Sequence, residues 1–229
     1  MKNKKATSYL FYALGEIFLV MIGILLALQV NNWNQKRILK NQLDGILMAV
    51  SNDLKTDTLM AGQVIQHYEL NNEKSIQLLK GEMTKEEFET CAECRSLITV
   101  YKPFVIQLKG YDQLKNYTDQ QSTQTDSLLT TITQFYTVFK KNIDDSNLFV
   151  KEEVLNNLNS YREKPWFVDW TQGVLTTEMV DYFMKDQEHL NHIAAHNVLA
   201  AQNHLRFARI YKLNAIEVLQ RINKRLSKD

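Results

Sequence analysis

With 27 basic and 26 acidic side chains among 229 residues, the chain carries a net charge of only +1 at pH 7. This balance excludes a domain-wide basic field of the kind that holds nucleic acid, and no nucleic-acid motif occurs. The length suits one domain with enough apolar residues for a core. Seven Gly and two Pro leave very little turn chemistry, and no convincing strand, internal repeat or linker is visible.

Residues 1–8 form a short basic tail with Lys2, Lys4 and Lys5. Residues 9–30, YLFYALGEIFLVMIGILLALQV, are predicted to form a transmembrane helix. Glu16 is its one charged side chain, and about twenty residues at ~1.5 Å rise match a ~30 Å hydrocarbon core. A cleaved signal peptide is the rival reading, with Ile17 to Leu28 as its apolar region. Against it, the run continues through Ala27-Leu28-Gln29 with no suitable cleavage residue, and Trp33 suits the interface belt. An uncleaved anchor is the favoured reading. No second run reaches spanning length, so a single pass is expected.

Residues 31–229 are read as an α-helical bundle domain. Leu39, Leu43, Leu47, Val50, Leu54 and Leu59 keep helical spacing between Asn31 and Lys80. Met179, Phe183, Leu190, Ile193, Ala200, Phe207, Tyr211 and Val218 do the same between Val174 and Asp229. Two long amphipathic helices at the domain's ends most simply pair antiparallel. The predicted fold is therefore all-α, one N-terminal transmembrane helix continuing into a long-helix antiparallel bundle. Between them, Thr84-x-x-Glu87 is a capping box opening a helix toward Tyr101, which Pro103 stops. Gly110-Tyr111 marks a turn, and a polar stretch from Tyr117 to Asp126 leads into a helix over Leu128 to Lys141. Asp144-Asp145-Ser146-Asn147 is expected to be a loop and cap before a further helix, Leu148 to Tyr161. Trp166 and Trp170 are expected as core or interface anchors.

Three groups of residues are candidates for chemistry. Glu16, Gly23 and Ala27 lie seven and four apart on one face of the span, and Gly23-x-x-x-Ala27 lets a second helix approach closely. An intramembrane carboxylate marks either such an interface or an ion path. Cys91 and Cys94 form a lone C-x-x-C that an oxidising compartment can join as a disulfide. His189, His192 and His196, spaced three and four, share a helix face. Together with the cysteines they would make a mixed transition-metal set, which neither half completes alone. The polar interruptions Asp186, Asn197, His204 and Asn214 are expected to find partners across the bundle or to line a small pocket. No nucleophile–base–orienter set, P-loop, GxGxxG or HExxH occurs, so an enzyme is not expected, and no cofactor is expected beyond that metal option.

The span carries a further signal. Tyr12-Ala13-Leu14-Gly15-Glu16-Ile17, followed by Ile22-Gly23-Ile24-Leu25-Leu26-Ala27-Leu28-Gln29-Val30-Asn31-Asn32-Trp33-Asn34, resembles the signature of a bacterial single-span membrane-protein family of unknown function. Phe104 with Gly110-Tyr111-x-x-Leu114-Lys115 is similar to a second pattern of that family, although Asn116-Tyr117-Thr118 stands where a Ser-Gly turn usually follows. The resemblance implies a bacterial inner-membrane protein with a helical domain, and no reaction or ligand. A short basic tail before the span favours a cytoplasmic N-terminus and a periplasmic main domain. The expected function is a membrane-anchored helical interaction, scaffold or sensor-like protein of a cell-envelope complex. Its expected partners are the lipid bilayer and either a membrane protein or a second copy, through the span. The alternatives are an accessory subunit of an ion-driven or transport machine using Glu16, and a metal-binding helical domain.

Overall fold

The computed structural model describes residues 3–120 and 126–227, with side chains of residues 3–11, 13 and 120 left aside. Residues 1–2 of the expected tail and 121–125 of the polar stretch lie outside the described residues. The fold is all-α, with no strand among the described residues. The helices are α1 (Asn3–Leu79), α2 (Lys85–Thr90), α3 (Lys109–Gln120), α4 (Ser127–Arg162), α5 (Phe167–Thr171), α6 (Thr177–Lys185), α7 (Gln187–Asn197) and α8 (Leu205–Leu226), with a π-helical segment at Val198–His204. The chain divides into two units, Met1–Ile46 and Leu47–Asp229, and the division falls within α1.

In the first unit, the apolar side chains from Leu14 to Val30 all face outward. Its most apolar window has no buried residue, and its length and composition suffice to cross a membrane. Just beyond, the Arg37 guanidinium lies 5.3 Å over the Trp33 ring.

In the second unit, α1 buries a seam with alternating steps of three and four. Leu47, Val50, Leu54, Asp57, Ala61, Val64, Tyr68, Asn71, Ser75 and Leu78 are all buried. That is the spacing of a helix packed along its whole length. The seam corrects the sequence stripe at Leu59, which is exposed because Asp57 occupies the slot the stripe should fill. α1 ends in a Schellman turn, where Gly81 takes φ +68° and the Glu82 N–H reaches the Gln77 carbonyl. α8 runs antiparallel to this part of α1: Tyr68 packs on His204, while Asp57 bonds Tyr211. It also runs antiparallel to α4, from Ser146–His204 to Thr131–Arg221. The expected antiparallel pairing of the two terminal helices is present within this unit.

Several element boundaries differ from the sequence reading. Asp144 to Asn147 form no loop; α4 continues through them, supported by the Lys140–Asp144 pair and by uses for the polar groups described below. The last helix is not continuous from Val174: Asp186 adopts an extended backbone and its carboxylate caps α7 by accepting the His189 N–H. The helix opened by the Thr84–Glu87 capping box, which is formed as expected, closes at Thr90 instead of running toward Tyr101. A 3₁₀ turn at Glu93–Ser96 follows, and from Val100 to Leu108 the chain is non-helical.

A second part of the core is aromatic. Phe88, Tyr161, Trp166 and Phe183 are buried there with Cys94, Leu97 and Ile98, and Trp170 packs on it partly buried. Both tryptophans are therefore anchors of the domain's interior.

Candidate functional site

A non-helical segment inside a helical domain has no ladder to satisfy its backbone, so side chains must do so. Here residues 97–108, with the first turn of α3 that follows, form a strap whose polar groups are met by the surrounding helices. From α1, Asn71 donates to the Leu97 carbonyl, and Tyr68 Oη both accepts from Lys102 N–H at 3.1 Å and donates to its carbonyl at 3.3 Å. Asp57 accepts the Gln107 N–H at 3.0 Å, and Asp53 accepts the Gly110 N–H at 2.6 Å. From α4, Asn157 donates to the Ile98 carbonyl at 3.0 Å. Asn147 accepts the Phe104 N–H at 3.0 Å, donates to its carbonyl at 2.6 Å, and also accepts the Tyr101 hydroxyl at 3.0 Å. Thus one amide side chain reproduces a backbone pairing on both sides of a residue.

Gly110 ends the strap at a close approach. A Cβ there would lie 2.4 Å from the Val50 backbone nitrogen, so no other residue fits. The corner expected as a turn is the first turn of α3, set directly against α1. Phe104 and Leu114 of the same pattern are fully buried.

Burial shapes the titrations. Desolvation raises the Asp57 carboxyl to about 6, against the lowering effect of bonds from Tyr211 and Gln107. Tyr211 itself is pushed far up by burial and by the neighbouring carboxylate. Among the histidines, His189 and His196 are buried and His192 only half-buried. Desolvation lowers His189 to about 3 and His196 and His204 to about 4, which keeps all three neutral at pH 7. His189 sits among Tyr161, Tyr182 and Phe183. His196 has no hydrogen-bond partner on either ring nitrogen. His204 Nδ1 lies 3.0 Å from Ser146 Oγ, a hydroxyl that also bonds the Ile143 carbonyl. That serine–histidine pair is enclosed, and two of the surface clefts do not touch it: one of about 390 Å³ is lined by Tyr111, Tyr136 and Lys140, another of about 410 Å³ by Phe135, Val138 and Ile210.

The mixed Cys/His metal set is not assembled. Cys91 and Cys94 are joined as a disulfide, which leaves no thiolate to ligate, and His189 and His196 are enclosed in the core. Among the described residues, no group of three or more His, Cys, Asp or Glu side chains is arranged to hold a metal ion. Glu16, Gly23 and Ala27 all stand exposed in the first unit, with open space where a Gly23 Cβ would go. Of the polar interruptions, Asp186 caps α7 and His204 meets Ser146, while Asn214 stays exposed and bonds the Ile210 carbonyl.

No family model, curated protein or solved structure matches the chain. The strap residues Asp53, Asp57, Tyr68, Asn71, Asn147 and Asn157 were not among the sequence candidates. The one signal available was their position: polar side chains standing in the seam of helices otherwise packed by apolar ones.

Proposed function

We propose that the chain is a membrane-anchored helical interaction protein of the bacterial inner membrane, a scaffold or sensor-like part of a cell-envelope complex and not an enzyme. The observation that carries this reading is the outward apolar surface from Leu14 to Val30, interrupted by Glu16 and Gln29; water does not tolerate such a surface and lipid does. Within it, Glu16, Gly23 and Ala27 offer a polar and close-packing face to a second helix. The resemblance of Tyr12 to Ile17 and Ile22 to Asn34 to a bacterial single-span signature supports the same placement. A cytoplasmic N-terminus and a periplasmic domain suit the Cys91–Cys94 bond, since disulfides persist in oxidising compartments. In the domain, buried Asp57, Asn71 and Asn157 are committed to holding the strap.

The test is purification of the tagged full-length protein from native membranes into nanodiscs, with mass spectrometry of what is retained. A stoichiometric partner or a second copy is expected, weakened by Gly23→Leu with Ala27→Leu. Unchanged retention in that double variant would sink the interface. A Glu16→Gln variant separates the accessory-subunit alternative, which requires loss of ion-coupled function while assembly persists.

A further inference from the structure

The Cys91–Cys94 bond closes a loop that needs no closing. The residues are three apart, and the turn between them is already held by the Cys94 N–H on the Cys91 carbonyl at 3.2 Å and the Arg95 N–H on the Ala92 carbonyl at 3.4 Å. The flanks are held independently too. Trp170 Nε1 donates to the Arg95 carbonyl at 3.0 Å, the Arg95 guanidinium reaches the Glu89 carbonyl at 2.6 Å, and Asn71 and Asn157 hold the Leu97 and Ile98 carbonyls. A disulfide stabilises mainly by restricting the unfolded chain, and more so for long loops. As a staple this one is badly placed.

As a reactive bond it is well placed, because its two sulfurs differ. Cys94 is 2% exposed, buried with Phe88, Trp166 and Phe183, whereas Cys91 is only partly buried at the end of α2. The Cys94 N–H also points at Cys91 Sγ, 3.2 Å away, where it would stabilise negative charge on that sulfur once the bond opens. We propose that Cys91–Cys94 is a thiol–disulfide exchange site, with Cys91 the attacked sulfur, Cys94 the enclosed leaving sulfur and an external dithiol the reductant.

The chemistry balances as an ordinary exchange. A thiolate of the dithiol attacks Cys91 Sγ; its bond to that sulfur forms as the Cys91–Cys94 bond breaks, and the electron pair leaves on Cys94, which takes up a proton. The second thiol of the reductant, deprotonated in turn, attacks its own partner sulfur in the mixed disulfide. Cys91 leaves as a thiolate facing the Cys94 N–H and is then protonated. The dithiol ends as a disulfide, and the cystine as two thiols. Because the turn and its flanks have their own hydrogen bonds, the reduced domain stays folded.

The experiment is a titration of the full-length protein in detergent micelles with dithiothreitol, quenched in acid and read by alkylation and mass spectrometry, with circular dichroism alongside. Reduction of the native protein with an unchanged helical spectrum is expected. Single-cysteine variants report which sulfur is attacked: in Cys94→Ser the remaining thiol should react with a charged thiol reagent at least about tenfold faster than that in Cys91→Ser. Reduction only after denaturant has unfolded the chain overturns the proposal, as does equal labelling of the two variants when both retain the wild-type spectrum. The titration of the unsubstituted protein decides the matter on its own if either variant fails to fold.

Discussion

One helix, α1, carries two stretches built for different surroundings. From Leu14 to Val30 nothing is buried and the side chains are apolar on every face, with Glu16 and Gln29 as the exceptions. From Leu47 to Leu78 burial follows a seam of every third or fourth residue, with Ser51 buried beside it, and that seam includes Asp57, Tyr68, Asn71 and Ser75. The comparison teaches that apolar content and burial are separate properties. In the first stretch apolar surface faces out and polar groups are few, the pattern that a lipid solvent would favour. In the second the apolar face is ordinary, and the polar residues inside it are specific: Asp57, Tyr68 and Asn71 satisfy strap backbone, and Ser75 bonds Asn71.

The comparison can be broken first at Gly110. Gly110→Ala places a Cβ against the Val50 backbone, which cannot give as a flexible side chain would, and about 3 kcal/mol of destabilisation is expected. Chemical denaturation of the purified protein measures it, and a loss below about 1 kcal/mol would contradict the close approach. Acid should act on the second stretch and its neighbours next. His189, His196 and His204 have folded pKa values below the ordinary histidine value, so the unfolded chain binds their protons more tightly. Their stabilising contribution is complete above about pH 6.5 and is lost as pH falls toward 4, by up to about 1.4 kcal/mol per pH unit each. Asp57, raised to about 6, opposes this between about pH 6 and 4, because the folded state then holds the extra proton. With three groups against one, stability should fall by about 2 kcal/mol from pH 6 to 5, a change denaturation midpoints would register.

Asn147→Ala should cost about 2 kcal/mol, since it strands both polar groups of Phe104 and the Tyr101 hydroxyl together. Asn147→Asp sharpens the point: it keeps the acceptor but loses the donor to the Phe104 carbonyl, so it should rescue only part of the loss. The smallest effect belongs to Leu59, apolar but exposed in the same helix. Leu59→Ser should change stability by less than about 0.5 kcal/mol, and a larger cost would place that side chain in an interface.

These cases also show what a sequence makes legible. The apolar stretch of α1 is readable because one composition holds over many consecutive residues. The all-α class followed from helical periodicity and scarce breakers, and the Thr84–Glu87 capping box from a local rule that needs no tertiary knowledge. The seam was lost at Asp57 because a carboxylate in an apolar slot reads as the end of a stripe; only the Tyr211 hydroxyl and the Gln107 N–H make its burial tolerable. For the same reason Asp144 to Asn147 read as a loop. Ser146 and Asn147 are polar there because partners distant in sequence, His204 and Phe104, require them. The break at Asp186 was visible as an oddity of the last stripe, but its meaning as a cap depended on an extended backbone that periodicity does not report.

The central claim is that the first stretch of α1 lives in lipid. Its most direct test is alkaline carbonate extraction of membranes from cells expressing the full-length chain, beside a variant carrying Ile22→Arg and Leu25→Arg. The account predicts that the unaltered protein stays in the membrane pellet, whereas the variant, burdened by roughly 2.5 to 3.5 kcal/mol for each central charge, is released in large part. Release of the unaltered chain into the carbonate supernatant would contradict it.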